Sequence, residues 1–224
     1  MTVWLMAAMT LDGKLTGTDG GAPAFASPLD RRRLMESRAR ADAVVVGART
    51  VRREDLPAMV DGDDLLAARR AVGRAAQPAH VVVSRSLDLP VAGRVVGNAA
   101  QERLVATVSG APAAARRALE ERGVQVLVAG EAAVDAARLL AVLRARGLRE
   151  VVVEGGGGTN ALFLDAGVVD EIHVTIAPVV VGGRDVPTLV EGAGRPQQAR
   201  LGLELIEAVP QPTGEVFARY RVRR

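Results

Sequence analysis

Six short runs dominated by valine, leucine and alanine punctuate this chain, at residues 2–10, 43–46, 79–83, 104–108, 124–128 and 150–153. Most are continuously apolar. A strand with one wet face alternates, whereas a strand covered on both faces does not, so these runs predict buried parallel strands. Helix-like segments lie between them. Residues 28–41 open on Ser27-Pro28, a capping residue followed by a proline that the first turn tolerates. Residues 111–122 and 131–146 end just before Gly123 and Gly147, as helices do. Residues 52–77 are the least regular stretch, with 67–76 a helix candidate.

Strand–helix alternation implies a parallel sheet with helices on both faces. The tail reads differently. Residues 169–181 form a long strand candidate, and 201–209 with 215–222 flank Pro210 and Gly214 as a hairpin. The expected architecture is α/β: a mostly parallel central sheet, antiparallel C-terminal strands, helices on both faces, and residues 1–224 as one domain.

Composition narrows the function. At 224 residues, 49% apolar and 25% charged, the chain is long enough to bury a large core. No run reaches the ~20 apolar residues of a membrane helix. The apolar start has no basic segment before it and no small-residue cleavage site after it, which argues against a secretory leader. With no cysteine there is no disulfide, thiolate metal site or cysteine nucleophile, and a cytoplasmic location is the simple expectation. The net charge is only +3, and Lys14 is the only lysine. Arginine raises the isoelectric point without a dense positive field, and aromatics are only 2%, so no nucleic-acid partner is expected. His80 and His173 lack partners at metal-binding spacing, so no metal is expected.

The most informative segment runs Val151-Val152-Val153-Glu154-Gly155-Gly156-Gly157-Gly158-Thr159-Asn160, with a helix expected at 161–166. A strand leading through four glycines into a helix suits a phosphate or diphosphate: glycine permits positive φ and close approach, and the backbone N–H groups hold the anion. No lysine with Ser/Thr follows, which excludes a P-loop, and Asn160 stands where the dinucleotide fingerprint wants glycine. Two other strand ends carry polar groups, Gly47 with Thr50 and Ser84-Arg85-Ser86. The latter suits a 2′-phosphate. Asp12-Gly13 is a turn pair in Met9-Thr10-Leu11-Asp12-Gly13-Lys14-Leu15, and the small residues of 16–26 suit a lid.

Together with Ala41-Asp42-Ala43, Gly167-Val168-Val169-Asp170-Glu171, Ile176-Ala177-Pro178 and Gly182-Gly183, these segments resemble the riboflavin-pathway pyrimidine reductases across nearly the whole chain. The resemblance implies a dihydrofolate-reductase-like fold, NADPH as cofactor, a homodimer, and reduction of a ribosylaminopyrimidine 5′-phosphate to its ribitylamino product. By position it assigns Gly155, Gly156, Gly157, Gly158, Thr159, Asn160, Ala161 and Leu162 to the diphosphate, and Ala8, Thr50, Glu54 and Ser84 to other parts of the cofactor. Arg85 would face the 2′-phosphate, and Arg38 and Glu154 the substrate. Residues 170–181 would contribute to the dimer contact. No catalytic residue is implied.

The departures cluster on the substrate side. Glu54-Asp55-Leu56-Pro57-Ala58-Met59-Val60-Asp61 replaces the usual Asp-Asp-Pro and its following cation, an aromatic of the lid falls on Ala24, and a first-strand lysine falls on Leu5. Two other readings therefore stand beside the first: a same-fold reductase of a pterin-like or secondary-metabolite heterocycle, and a non-catalytic dinucleotide-binding protein.

Overall fold

The computed structural model describes residues 1–20 and 25–223. The lid position Ala24 lies outside the described residues. In chain order the elements are β1 (Thr2–Thr10), α1 (Pro28–Arg40), β2 (Ala43–Gly47), α2 (Ala48–Glu54), α3 (Asp63–Ala71), β3 (Ala79–Val83), α4 (Arg94–Gly97), β4 (Arg103–Thr107) and α5 (Ala113–Glu120). There follow β5 (Gln125–Val128), α6 (Ala136–Ala145), β6 (Glu150–Val153), α7 (Gly157–Asp165), β7 (Glu171–Ala177), a 3₁₀ turn (Gln197–Ala199), β8 (Leu203–Pro210) and β9 (Val216–Val222). The nine strands form one sheet in the order β5-β4-β3-β2-β6-β1-β7-β9-β8. Every pair from β5 to β7 is parallel; β9 runs antiparallel to both β7 and β8. The expected mixed architecture is the observed one.

The continuous apolar runs have the predicted cause. Val3, Leu5, Val45, Val81, Leu104, Val151 and Val153 pack with Leu139, Leu140, Leu143, Phe163 and Leu164 of α6 and α7 on one face. Trp4, Met6, Val44, Val46, Val82, Val105 and Val152 pack on the other with Val51 of α2, Val95 and Val96 of α4 and Leu119 of α5. The exception is β5, the sheet edge, where Gln125 and Val128 are exposed.

Several boundaries move for local reasons. The helix expected from residue 131 begins at Ala136, because the Asp135 carboxylate caps it by accepting from the Arg138 amide at 2.9 Å. The candidate at 67–76 is α3, four residues earlier; the chain turns at Gly73, whose φ of 73° only glycine adopts freely. The strand expected to reach 181 stops at Ala177, ahead of Pro178.

One buried charge ties α1 to α3. Arg69 is 2% exposed, yet its guanidinium donates to the carbonyls of Arg38, Ala39 and Ala41 at 3.1, 2.9 and 2.6 Å and to Ala75 at 2.9 Å. These include the last carbonyls of α1, which have no partner inside the helix. Replacing Arg69 by methionine keeps most of the volume and strands those acceptors. Urea unfolding of Arg69→Met should show a loss of about 2–4 kcal/mol; an unchanged midpoint would mean that water replaces the guanidinium at no cost.

Candidate functional site

The strand order fixes where a ligand crevice can open. The chain leaves β2 through α2 on one face of the sheet, and leaves its neighbour β6 through α7 on the other. Where adjacent parallel strands send their connections to opposite faces, the carboxyl ends part, and open α/β sheets bind ligands there. The two glycine-bearing segments of the sequence, Gly47–Thr50 and Gly155–Asn160, meet at this junction.

Packing explains their glycines more closely than backbone freedom does. None of Gly155 to Gly158 has positive φ, contrary to the expectation. Gly156 is instead the N-cap of α7 at φ −67°, and Gly157 and Gly158 already belong to the helix, which starts four residues before the expected Ala161. A Cβ on Gly47 would lie 2.5 Å from Thr159 Oγ1, and one on Gly155 would lie 2.4 Å from Thr159 Cβ. Thr159 is thus wedged between the ends of β2 and β6. A Cβ on Gly157 would meet the Thr188 carbonyl at 2.4 Å and Glu191 Cγ at 2.5 Å. Gly156 and Gly158 leave room for one, which would make ordinary contacts with Thr50 Oγ1 at 3.9 Å and Glu191 Oε2 at 3.8 Å.

Open backbone at a helix N-terminus fits an anion; of the buried polar atoms around it left without a partner among the described residues, the Ser84 hydroxyl can donate and the Asn160 oxygen can only accept. Ser84, just past β3, is 3% exposed, and its hydroxyl has no partner among the described residues. Asn160 donates to the Leu189 carbonyl at 2.8 Å while its buried Oδ1 is left unpartnered. Arg85 is exposed beside Ser84. Thr50 lies in α2, whose N-cap is Gly47, so its hydroxyl is not consumed in capping. The open amides at the start of α7, with Thr50, Ser84 and Arg85 near the neighbouring strand ends, could hold a phosphate-bearing cofactor. Ala161 and Leu162 continue α7 inward and Ala8 lies half-buried near the end of β1.

A second group forms under α1. Glu154 follows β6 and receives Arg38 bidentately, at 2.9 and 3.1 Å from Nε and 2.6 Å from Nη2; the side chains are 10% and 16% exposed. Arg38 also donates to the Met59 carbonyl at 3.0 Å. Glu54 belongs with this pair: burial pushes its carboxyl up, partly offset by the Arg53 and Arg38 guanidiniums. His80 is enclosed nearby, its Nδ1 accepting from the Ala58 amide at 3.5 Å; burial, then Arg38, holds it down to about 4, so it is neutral. His173 pairs with Glu171 at 2.8 Å.

The remaining motif residues are structural. Asp12, lowered to about 2 chiefly by the Thr10 hydroxyl, also accepts from the Gly182 and Val181 amides at 2.7 and 3.2 Å, while Lys14 donates to the Gly183 carbonyl at 2.6 Å. This straps the loop after β1 to the segment after β7. Asp55 occupies φ 45°, and its carboxylate accepts from the Arg94 and Val95 amides at 2.7 and 3.0 Å, capping α4. Leu5 is fully buried. Sequence reasoning passed over Asp30, Thr175 and Glu215, a buried polar cluster brought together from α1, β7 and the turn before β9. The only local signal is an acid three residues after the capping Ser27.

Fold and crevice together define an α/β protein of the dihydrofolate-reductase-like kind. A dihydrofolate reductase from Enterococcus faecalis superposes over 100% of this chain and 97% of its own with a TM-score of 0.53 at 14% identity, a likeness of fold alone. Residues 1–214 match the model of the RibD C-terminal domain, and the chain belongs to that family. It is 36% identical over 197 residues to the 2,5-diamino-6-ribosylamino-4(3H)-pyrimidinone 5′-phosphate reductase of Methanothermobacter thermautotrophicus, covering 88% of this chain and 87% of that one. A crystal structure of a pyrimidine reductase-like protein from Corynebacterium diphtheriae matches with a TM-score of 0.87 at 27% identity, over 100% of this chain and 92% of that one.

The glycine geometry separates fold from binding. Gly157→Ala drives a methyl group into a backbone carbonyl and should cost about 1–3 kcal/mol in chemical unfolding, whereas Gly158→Ala gains helix propensity and should be neutral or stabilising by up to about 1 kcal/mol. Equal effects would contradict the packing described.

Proposed function

We propose that the protein is an NADPH-dependent reductase of riboflavin biosynthesis that converts a ribosylaminopyrimidine 5′-phosphate to the ribitylaminopyrimidine 5′-phosphate. The observation that carries this reading is the near-full-length identity to a curated reductase of that substrate class. When bound, a reduced nicotinamide dinucleotide would supply a hydride for the opened ribosyl carbon. The protein's share is positioning and exclusion of water. Gly156, with the open amides of Gly157 and Gly158, holds the diphosphate; the amides of Thr159 and Asn160 are bonded back to the Gly156 carbonyl, and Ala161 and Leu162 lie deeper in α7. Thr50, Ser84 and Ala8 contact the cofactor, and Arg85 takes its 2′-phosphate. Arg38 fixes the Glu154 carboxylate toward the substrate, with Glu54 beside them rather than at the glycines. A pterin reductase or a non-catalytic sensor has less support, because the reductase relative from Methanothermobacter thermautotrophicus matches over 88% of this chain and 87% of its own.

We further propose a homodimer in the cytoplasm. Both edges of β7 are taken by β1 and β9, so residues 171–177 do not offer an edge. The contact then falls on β8, whose Leu203, Leu205 and Val209 are exposed, and on Val179 and Val180.

Consumption of NADPH with a ribosylaminopyrimidine phosphate is the direct assay; binding of NADPH without turnover of any such substrate would favour the sensor. Arg85→Ala should weaken NADPH by about 1–3 kcal/mol and leave NADH nearly unchanged; equal losses would remove Arg85 from the 2′-phosphate. Gly156→Val puts a poor capping residue at the start of α7 and should cost about 1 kcal/mol in unfolding, while the folded variant loses dinucleotide binding. Retained affinity would move the diphosphate elsewhere.

A further inference from the structure

The turn that leaves β3 contains a leucine in a conformation that leucine avoids. Leu87 has φ 57°, in the left-handed region, where a Cβ crowds the following carbonyl. Among the described non-glycine residues only Asp55 shares that region, and a short polar side chain enters it more easily than a branched apolar one. Burial holds Leu87 there. Its side chain is 2% exposed and packs in the layer of Val82, Leu89, Val95 and Val96. Ser84 and Leu89 are buried as well, whereas Arg85, Ser86 and Asp88 are exposed. The left-handed residue turns the chain back into the core directly after Arg85 and Ser86, and leaves those two outside at the carboxyl end of β3.

The same turn is tethered from both sides. On the β4 side, the Ala106 carbonyl accepts from the Ser84 amide at 2.9 Å. The fully buried Thr107 donates its hydroxyl to the Arg85 carbonyl at 3.1 Å. On the α2 side, Arg52 donates to the Asp88 carbonyl at 2.9 Å and stands 3.6 Å from the Asp88 carboxylate. An ordinary surface turn needs neither a strained leucine nor a buried hydroxyl beneath it. Strain persists where the surroundings over-determine it, and it gathers where a group must be held in place. The exposed charged group between these tethers is Arg85.

We propose that Leu87 and Thr107 are positioning residues for Arg85: the left-handed turn and the hydroxyl bond hold its backbone in one place, and this fixed placement sets the preference for a dinucleotide bearing a 2′-phosphate over one without it. The inference rests on the reductase reading and names the residues behind its choice of cofactor. An arginine on a loose turn must be ordered on binding, and that ordering costs affinity which a prearranged one keeps. A planar guanidinium gains most from prearrangement, because two of its N–H groups meet a phosphate together. On the same reading the diphosphate is held two strands away, at α7 after β6. Loosening the turn therefore costs the 2′-phosphate contact and spares the rest of the dinucleotide.

Calorimetry with NADP⁺ and with NAD⁺ on the wild-type protein, Thr107→Val and Leu87→Gly tests this. Thr107→Val keeps the shape of the buried side chain and removes its hydroxyl. Leu87→Gly accepts the left-handed backbone without strain and gives up the buried anchor. The wild-type protein should prefer NADP⁺ by at least about tenfold. Thr107→Val should lose about threefold to tenfold in NADP⁺ affinity with NAD⁺ affinity unchanged, and a folded Leu87→Gly should do the same. A merely structural role would shift both dinucleotides together, or only the unfolding midpoint. Equal losses, or no loss in a folded Thr107→Val, thus overturn the proposal and leave the reductase reading intact, and that comparison stands even where Leu87→Gly does not fold. Equal wild-type affinities for the two dinucleotides overturn it through Arg85 itself. Binding of neither dinucleotide overturns the reductase reading, and the proposal with it.

Discussion

The crevice depends on Thr159, held between the ends of β2 and β6. Glycine at 47 and at 155 is what lets this side chain sit where two strands separate, and its position brings the first turn of α7 against the first turn of α2. A larger residue at either position would push the helices apart. Gly155 and Gly157 are small because protein fills the space beside them, whereas a Cβ on Gly156 or Gly158 would meet only ordinary contacts.

From that junction α1 carries order to the substrate side. Its C-terminal carbonyls are held by Arg69, Ser37 accepts from the Trp4 indole at 2.8 Å, and Arg38 reaches across to Glu154. The last turn of one helix thus connects the sheet core, the α3 layer and a carboxylate at the end of β6. Ion pairs as enclosed as Arg38–Glu154 add little net stability once desolvation is counted, and breaking one is costly. Their use is to fix geometry, and here Arg38 fixes the Glu154 carboxylate in one orientation at the end of β6.

What the sequence made legible was periodic or local. Buried parallel strands announce themselves as unbroken apolar runs, and the Ser27-Pro28 and Gly123 signals mark helix ends. Asp135 is equally local, yet apolar periodicity upstream of it set the α6 boundary five residues early. The glycine run was read as a loop because a helix beginning Gly-Gly has poor intrinsic propensity; tertiary contacts from Thr188 and Glu191 override that preference. The Asp30 cluster was invisible for a different reason. Its members are 27, 30, 175 and 215, and only the β7–β9 pairing laid across α1 brings them together.

The altered 54–61 segment shows how one substitution can mean two things. Read along the chain, an aspartate near a family cation looks like a substrate site of reversed charge. In three dimensions Asp55 is turned outward by a left-handed backbone and spends both oxygens on the first amides of α4, a helix too short to hold its own start. The loop's chemistry toward the crevice is then set by its neighbours, Arg53 and Glu54 before it and the Met59 carbonyl after it, which receives Arg38. Divergence here has gone into anchoring α4 to the sheet.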